Sequence, residues 1–254
     1  IYYGILWQTS SFMASDAWCT IPFLTHKKSS LDRVHDVLLQ APKCMKLRTD
    51  MMDAEAKGLD ERHEMLRERL YKLASGLLSR LEVYWELYRE EVDTHYDHGQ
   101  YFEVSDFTSD PLEWIVTAPD DVDFHDAFAA TVIPDFDAAI AMMSGFLTAS
   151  SLTDQARLAH RKRKAIHCAS ILEAVNWHNR QGPLSGGDHS IVVALKIVIH
   201  VAPSEMQKEK CRELLAEWGK ARGVEGIATV WGSLLAGAFA PRFNPWEPTN
   251  HFYD

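Results

Sequence analysis

This 254-residue sequence contains little cysteine, and the few residues that it has are scattered. The four positions are Cys19, Cys44, Cys168 and Cys211. No two of them form a C-x-x-C pair, so the sequence offers neither a zinc-binding framework nor a regular disulfide pattern. Cys168 and Cys211 fall within apolar helical patterns, where a thiol behaves as a small hydrophobic group. We therefore expect reduced, structural thiols in an intracellular protein.

Long apolar runs are also missing. The longest candidate, residues 191–202, is interrupted by Lys196 and His200, and it falls short of the roughly 18 to 20 residues that cross a bilayer. We expect a buried helix there and no membrane span. The chain opens on apolar residues at Ile1 without a basic segment before them, which is unlike a signal peptide. We interpret the chain as a fragment of a longer protein or as its ordered part.

Positive charge is in the minority, with 26 basic against 36 acidic residues and a net charge of −10. That balance repels a phosphate backbone, so we expect no direct binding of nucleic acid by this chain. The one basic run, HRKRK at residues 160–164, is open to interpretation as a localisation signal or an anion contact. We favour a solvated helix face, which is what isolated charge runs usually are.

The sequence is rich in helical periodicity, and no segment alternates long enough to predict a convincing strand. A long helix is predicted over residues 53–92, because apolar residues recur there at spacings of three and four, with one spacing of seven. This apolar stripe consists of Leu59, Leu66, Leu70, Leu73, Leu77, Leu81, Tyr84 and Tyr88. The stripe is typical of an amphipathic helix that faces a core.

Further helices are predicted along the rest of the chain. They cover residues 31–46, 124–146, 154–179, 189–201 and 204–222, and a last apolar segment covers residues 226–239. Pro134 should kink or divide its helix, and Ser204 with Gln207 predicts a capping box. Residues 93–123 carry the punctuation of a loop. Together these patterns predict one irregular, multi-helix, all-α domain over residues 1–254.

A family resemblance lies between residues 171 and 235. It is carried by the segments ILEAV at 171–175, GPLSGG at 182–187, ALKIV at 194–198, LLAEW at 214–218, RGV at 222–224 and GI at 226–227. These segments resemble the C-terminal part of the fungus-specific transcription-factor domain found in zinc-binuclear-cluster regulators. A looser similarity covers residues 31–47, where LLQAP at 38–42 resembles the end of an early helix of that family.

The resemblance implies a helical regulatory or effector-sensing domain of a nuclear protein. It also implies protein contacts through helical surfaces and binding of a hydrophobic small molecule. The sequence departs from the family at Ala194, where proline is frequent, and it lacks the six-cysteine DNA-binding cluster. The second departure puts a transcriptional role in question.

Two acidic motifs invite comparison with metal sites. Asp93, His95, Asp97 and His98 follow the long helix, and Asp120, Asp121 and Asp123 follow a proline. The first motif is better interpreted as a polar helix end, because neighbouring residues point in different directions. The second is better interpreted as helix capping, because the partner motif of a terpene cyclase is missing. We therefore expect no metal and no cofactor.

Aromatic residues supply the candidate ligand site. Trp177 and His178 end one predicted helix, His189 begins the next, and Trp231 lies in the last apolar segment. If these elements converge, the four side chains would line an apolar pocket with a few polar groups. Ordinary core packing explains the same residues, and we favour that explanation.

A second function remains open, that of a cytoplasmic enzyme of secondary metabolism. On the same helical scaffold, a cyclase or pericyclase would hold a terpenoid or polyketide intermediate in an apolar pocket. Such catalysis works through conformational restriction and complementarity to the transition state, and it requires neither a metal nor a nucleophile.

Overall fold

The fold is all-α, as the periodicity predicts. The computed structural model describes residues 12–92, 103–104, 116–117, 129–181 and 188–222. The α-helices in these ranges are α1 (Asp16–Thr20), α2 (Ser30–Leu38), α3 (Ala41–Ala56), α4 (Asp60–Val92), α5 (Ala129–Ser150), α6 (Asp154–Gln181), α7 (Asp188–Val201) and α8 (Glu205–Arg222). Phe12–Ala14 and Ile21–Phe23 form 3₁₀ turns. A two-residue antiparallel pair, β1 (Glu103–Val104) and β2 (Val116–Thr117), falls within the predicted loop.

The helix predicted over residues 31–46 is two helices in the structure. α2 begins with a capping box, in which the Asp32 N–H donates to Ser29 Oγ over 3.1 Å and the Ser29 N–H donates to Asp32 Oδ2 over 2.9 Å. Pro42 lies at the start of α3 and has no N–H to donate to the carbonyl of Leu38, four residues earlier. The hydrogen-bond ladder therefore ends at α2 and starts again at α3.

α4 begins seven residues later than predicted. Gly58 adopts a φ of 65°, a conformation that a side chain disfavours, and the Leu59 N–H donates to the Ala54 carbonyl over 2.9 Å. This six-to-one bond is the Schellman arrangement that ends α3. Leu59 thereby leaves the predicted stripe and is 43% exposed, whereas Leu66, Leu70, Leu77, Leu81 and Tyr88 are buried.

α5 is the central helix, and it packs against α2, α3, α4, α6 and α7. Its Phe136 is fully buried and meets Trp85 edge-on, with ring centroids 5.3 Å apart, and Tyr88 at 5.8 Å. Pro134 is predicted to kink or divide this helix, and it does not divide it, because the helix runs unbroken from residue 129 to residue 150. The core of the described residues is built around it.

α5 is also the helix among the described residues whose length and apolar composition suffice to cross a membrane. The sequence alone suggests a different segment, residues 191–202, as the longest apolar run. In the structure, 94% of the apolar window of α5 is buried inside the protein. That burial is typical of a core helix.

The starts of α6 and α8 each involve a side-chain hydrogen bond. The Ala156 N–H donates to Thr153 Oγ1 over 3.2 Å, so the Thr153 side chain caps the start of α6. The capping box predicted from Ser204 and Gln207 does not form. Gln207 instead donates from Nε2 to the carbonyl of Ala165 over 2.7 Å, which attaches the first turn of α8 to α6.

Candidate functional site

Two of the four predicted ligand residues are core residues in the last third of α6. Trp177 is 9% exposed and His178 is 1% exposed. Their rings meet edge to face, with centroids 5.4 Å apart and planes at 83°. Trp177 belongs to the hydrophobic core. This placement agrees with the core-packing explanation of these two side chains.

His178 makes a hydrogen bond that explains why Pro134 is tolerated. Its Nε2 lies 3.0 Å from the carbonyl oxygen of Ala130. In a regular helix that carbonyl would accept the N–H of residue 134, which proline lacks. Because a carbonyl only accepts, Nε2 carries the proton and donates it. His178 therefore satisfies a buried acceptor that Pro134 leaves open.

The other two predicted residues do not complete the site in the structure. His189 is the second residue of α7, and Trp231 lies outside the described residues. The pocket lined by Trp177, His178, His189 and Trp231 therefore stays a prediction.

A buried acid–imidazole pair, which the sequence did not predict, joins α5 to α6. His167 Nδ1 lies 2.7 Å from Asp137 Oδ1, and the Asp137 side chain is 0% exposed. Burial, with a smaller contribution from the charge of Arg163, lowers the pKa of His167 to about 3. At neutral pH the imidazole is thus uncharged and donates its Nδ1 proton to the carboxylate.

A second carboxylate on α5 lies near a different helix, α2. Asp135 Oδ2 lies 3.7 Å from His35 Nε2 of α2, and the Asp135 side chain is 2% exposed. The two aspartates therefore connect the central helix to α2 and to α6. The sequence contains a signal for these contacts, namely the two aspartates in the otherwise apolar run 129–150, because a charge inside a buried helix needs a partner.

The basic run at residues 160–164 is not the solvated helix face that the sequence predicted. All five of its residues are partly buried. Arg163 pairs with Glu82 of α4, with Nη1 2.9 Å from Oε1. Burial lowers the pKa of Lys164 to about 8, and neighbouring cations add to the effect. The run is therefore partly buried, and it is not a fully solvated face.

The thiols are structural, as expected for Cys168 and Cys211. Cys44, Cys168 and Cys211 are buried and free. Burial raises the pKa of Cys44 and of Cys168 to about 12. The Cys211 thiol donates to the Leu195 carbonyl, with 2.9 Å between sulfur and oxygen. Buried thiols with raised pKa values are poor nucleophiles.

Within the ranges that the structure describes, no group of three or more His, Cys, Asp or Glu side chains is placed to hold a metal ion. The two acidic motifs, at residues 93–98 and 120–123, lie outside those ranges.

Comparison of the chain with protein-family models, with curated proteins and with solved structures finds no significant match. A proposal about function therefore depends on the placement of the described side chains and on the resemblance between residues 171 and 235.

Proposed function

We propose that this chain is the regulatory, effector-sensing domain of a fungal transcription-regulator-like protein. One observation carries the proposal. The resembling segments 171–175, 194–198 and 214–218 lie on α6, α7 and α8, and α7 contacts both α6 and α8.

The side chains of these segments are suited to such a shared core. Ile171 and Val175 of α6, Leu195 and Val198 of α7, and Leu214 of α8 are all buried. A resemblance concentrated on inward-facing residues of adjoining helices is what a common fold would produce. Fold-level likeness supports a class of protein and no particular effector.

In this proposal the domain acts in the nucleus through protein partners that bind its helical surface. A hydrophobic small molecule would bind between the end of α6 and the segment that carries Trp231. The net charge of −10 disfavours direct contact with DNA, so a separate module would supply sequence recognition.

A fusion assay tests the regulatory role. The chain is placed between a heterologous DNA-binding domain and an activation domain, and reporter transcription is compared with that of a flexible linker of equal length. A regulatory domain should change the output, and Phe136→Ala, which destabilises the fold, should weaken the change. Equal output from the chain and from the linker would contradict the proposal.

The Asp137–His167 pair favours the second function, an enzyme of secondary metabolism. A carboxylate that orients an imidazole is a common arrangement for moving protons. However, both side chains are buried, and a general base must reach its substrate. We therefore rank this function below the regulatory one.

Metabolite profiling of a strain that lacks the gene distinguishes the two functions. An enzyme predicts accumulation of one uncyclised terpenoid or polyketide intermediate, which the purified chain then converts. A regulator predicts a change in transcript levels and no conversion by the purified chain. Conversion by wild type but not by His167→Ala would favour the enzyme.

A further inference from the structure

One side of α4 is exposed along the length of the helix, and it differs from the side that packs into the core. The core-facing residues run from Leu66 to Tyr88. Met65 is 48% exposed, Val83 58% and Leu87 36%. These three side chains lie within about 40° of one another around the helix axis, because each residue turns the helix by about 100°. α4 therefore carries apolar side chains on a second, exposed side.

Five residues on this side, which we call the outer seam, are spaced by seven positions. They are Arg62, Arg69, Gly76, Val83 and Glu90, and all five are exposed. Residues seven apart drift by about 20° around a straight helix, and a shallow left-handed crossing of two helices keeps them along one contact line. The outer seam thus has the spacing that packing against another helix requires.

The charges of the outer seam are divided between its two ends. Arg62 and Arg69 lie in the N-terminal half of α4, and Glu90 lies in its last turn. In the ranges that the structure describes, none of these three side chains forms an ion pair. The helix dipole disfavours a cation in the first turn and an anion in the last turn. Contacts within α4 therefore do not explain this order of charges, whereas a partner with the reverse order would.

Gly76 lies at the middle of the outer seam. A glycine inside a helix is unfavourable relative to alanine. An added Cβ at Gly76 would meet nothing within 4 Å, so the packing of a single chain does not require glycine there. Close approach of a second backbone is a reason for glycine at such a position.

We propose that α4 is the contact surface of a symmetric dimer, in which the outer seam of a second copy of this chain packs antiparallel across Gly76. A two-fold axis at Gly76 places Arg62 opposite Glu90 of the second copy and Arg69 beside Val83 of the second copy. Each contact occurs twice, because a two-fold interface uses the same surface on both chains. A parallel pair would instead place like charges opposite each other, which is unfavourable. The dimer does not depend on the proposed function, since a regulator or an enzyme could use it.

The charged residues beside the outer seam fit the antiparallel arrangement. Lys72 and Glu86 lie on one flank, and the two-fold axis brings the Lys72 end of that flank towards the Glu86 end of the other copy. Arg80 lies on the opposite flank, where it donates to the Tyr84 hydroxyl over 3.1 Å. The cations nearest the axis are therefore kept on different flanks.

Sedimentation velocity of the whole chain tests the dimer. The measurement covers about 1 to about 100 µM protein, a range in which a weak dimer dissociates. The wild-type chain should pass from monomer to dimer as its concentration rises. Raising sodium chloride from about 0.1 M to about 0.5 M should weaken the association, because salt screens exposed charges. A monomer at every concentration would overturn the proposal.

Charge exchange at the two ends of the outer seam tests its antiparallel direction. Arg62→Glu or Glu90→Arg alone places like charges opposite each other and should weaken self-association about tenfold. A mixture of the two single variants should form a heterodimer, because both of its end contacts again join opposite charges. The two substitutions in one chain should also restore self-association. Tighter self-association of Arg62→Glu alone would indicate a parallel pair and would contradict the proposal.

Gly76→Lys tests the close approach at the axis. The position of the added Cβ is open, so circular dichroism should show a folded chain, whereas two ammonium groups at the axis should abolish the dimer. Tyr71→Ser is the matched control, because Tyr71 is 44% exposed and lies about 140° around the helix from Gly76. It should dimerise as wild type does. Unchanged dimerisation of Gly76→Lys, or an equal loss in Tyr71→Ser, would show that the outer seam is not the interface.

Discussion

The hydrogen bond between His178 and the Ala130 carbonyl can be tested through Pro134. Replacing His178 with alanine leaves the buried carbonyl without a donor, which costs about 1–3 kcal/mol. The missing ring also leaves a space in the core, so the total loss in the free energy of unfolding should be about 2–4 kcal/mol. By itself this loss would not separate the hydrogen bond from packing.

Pro134→Ala supplies that separation. The substituted residue would have a backbone N–H, and the Ala130 carbonyl, four residues earlier, would then accept a regular helical hydrogen bond. The packing part of the His178→Ala cost should remain, whereas the part due to the open carbonyl should disappear. In the Pro134→Ala background, we expect His178→Ala to cost at least about 1 kcal/mol less than in wild type.

Urea unfolding followed by circular dichroism measures all four proteins of this cycle. His167→Ala is the control, because His167 lies on the same helix but hydrogen-bonds to Asp137. Its cost should be the same with proline or alanine at position 134. An equal cost of His178→Ala in both backgrounds would refute the compensation between His178 and Pro134.

Three further predictions follow from the core. Phe136→Ala should lower the free energy of unfolding by about 3–5 kcal/mol, measured by urea unfolding, because a fully buried ring is lost between Trp85 and Tyr88; a loss below about 1 kcal/mol would contradict the packing. The folded pKa of His167, about 3, is below that of an unfolded histidine, so the unfolded chain takes up the extra proton as the pH falls. Stability should therefore decline from about pH 6.5 towards pH 3, by about 2 kcal/mol at pH 5 from this residue, and His167→Gln should flatten the decline. In thiol labelling of the folded protein, the partly exposed Cys19 should react first, and the buried Cys44, Cys168 and Cys211 should react only as the chain unfolds. In a Cys168→Ser variant, rapid labelling of the folded protein at more than one of the remaining cysteines would count against this burial.

The predictions for single helices were confirmed where the spacing of apolar residues alone determines which side of the helix is buried. The stripe from Leu66 to Tyr88 faces the core because apolar residues at spacings of three and four share one side of any helix. The errors at helix ends had local causes. Pro42 interrupts a hydrogen-bond ladder, and the left-handed conformation of Gly58 ends α3 before the long helix begins.

The candidate site was less predictable because its partners are distant in the sequence. Asp137 and His167 are 30 residues apart, and Ala130 and His178 are 48 residues apart. The aspartates in the apolar run could have been marked as residues in need of partners, but no local pattern selects which histidine meets which acid. Arg163 likewise pairs with Glu82, 81 residues earlier, so the run at residues 160–164 resembled a solvated face.

The sequence by itself determined that this protein is helical, which helix faces are apolar and that Cys168 and Cys211 are inside. These properties depend on neighbours within one or two turns, and such neighbours are visible in a linear pattern. The tertiary structure decided that α5 continues through Pro134, that its aspartates are paired and that the basic run at residues 160–164 is partly buried. The physical reason is that a buried polar group is stabilised only by the particular partner that packing brings to it, and packing joins residues that the sequence keeps far apart.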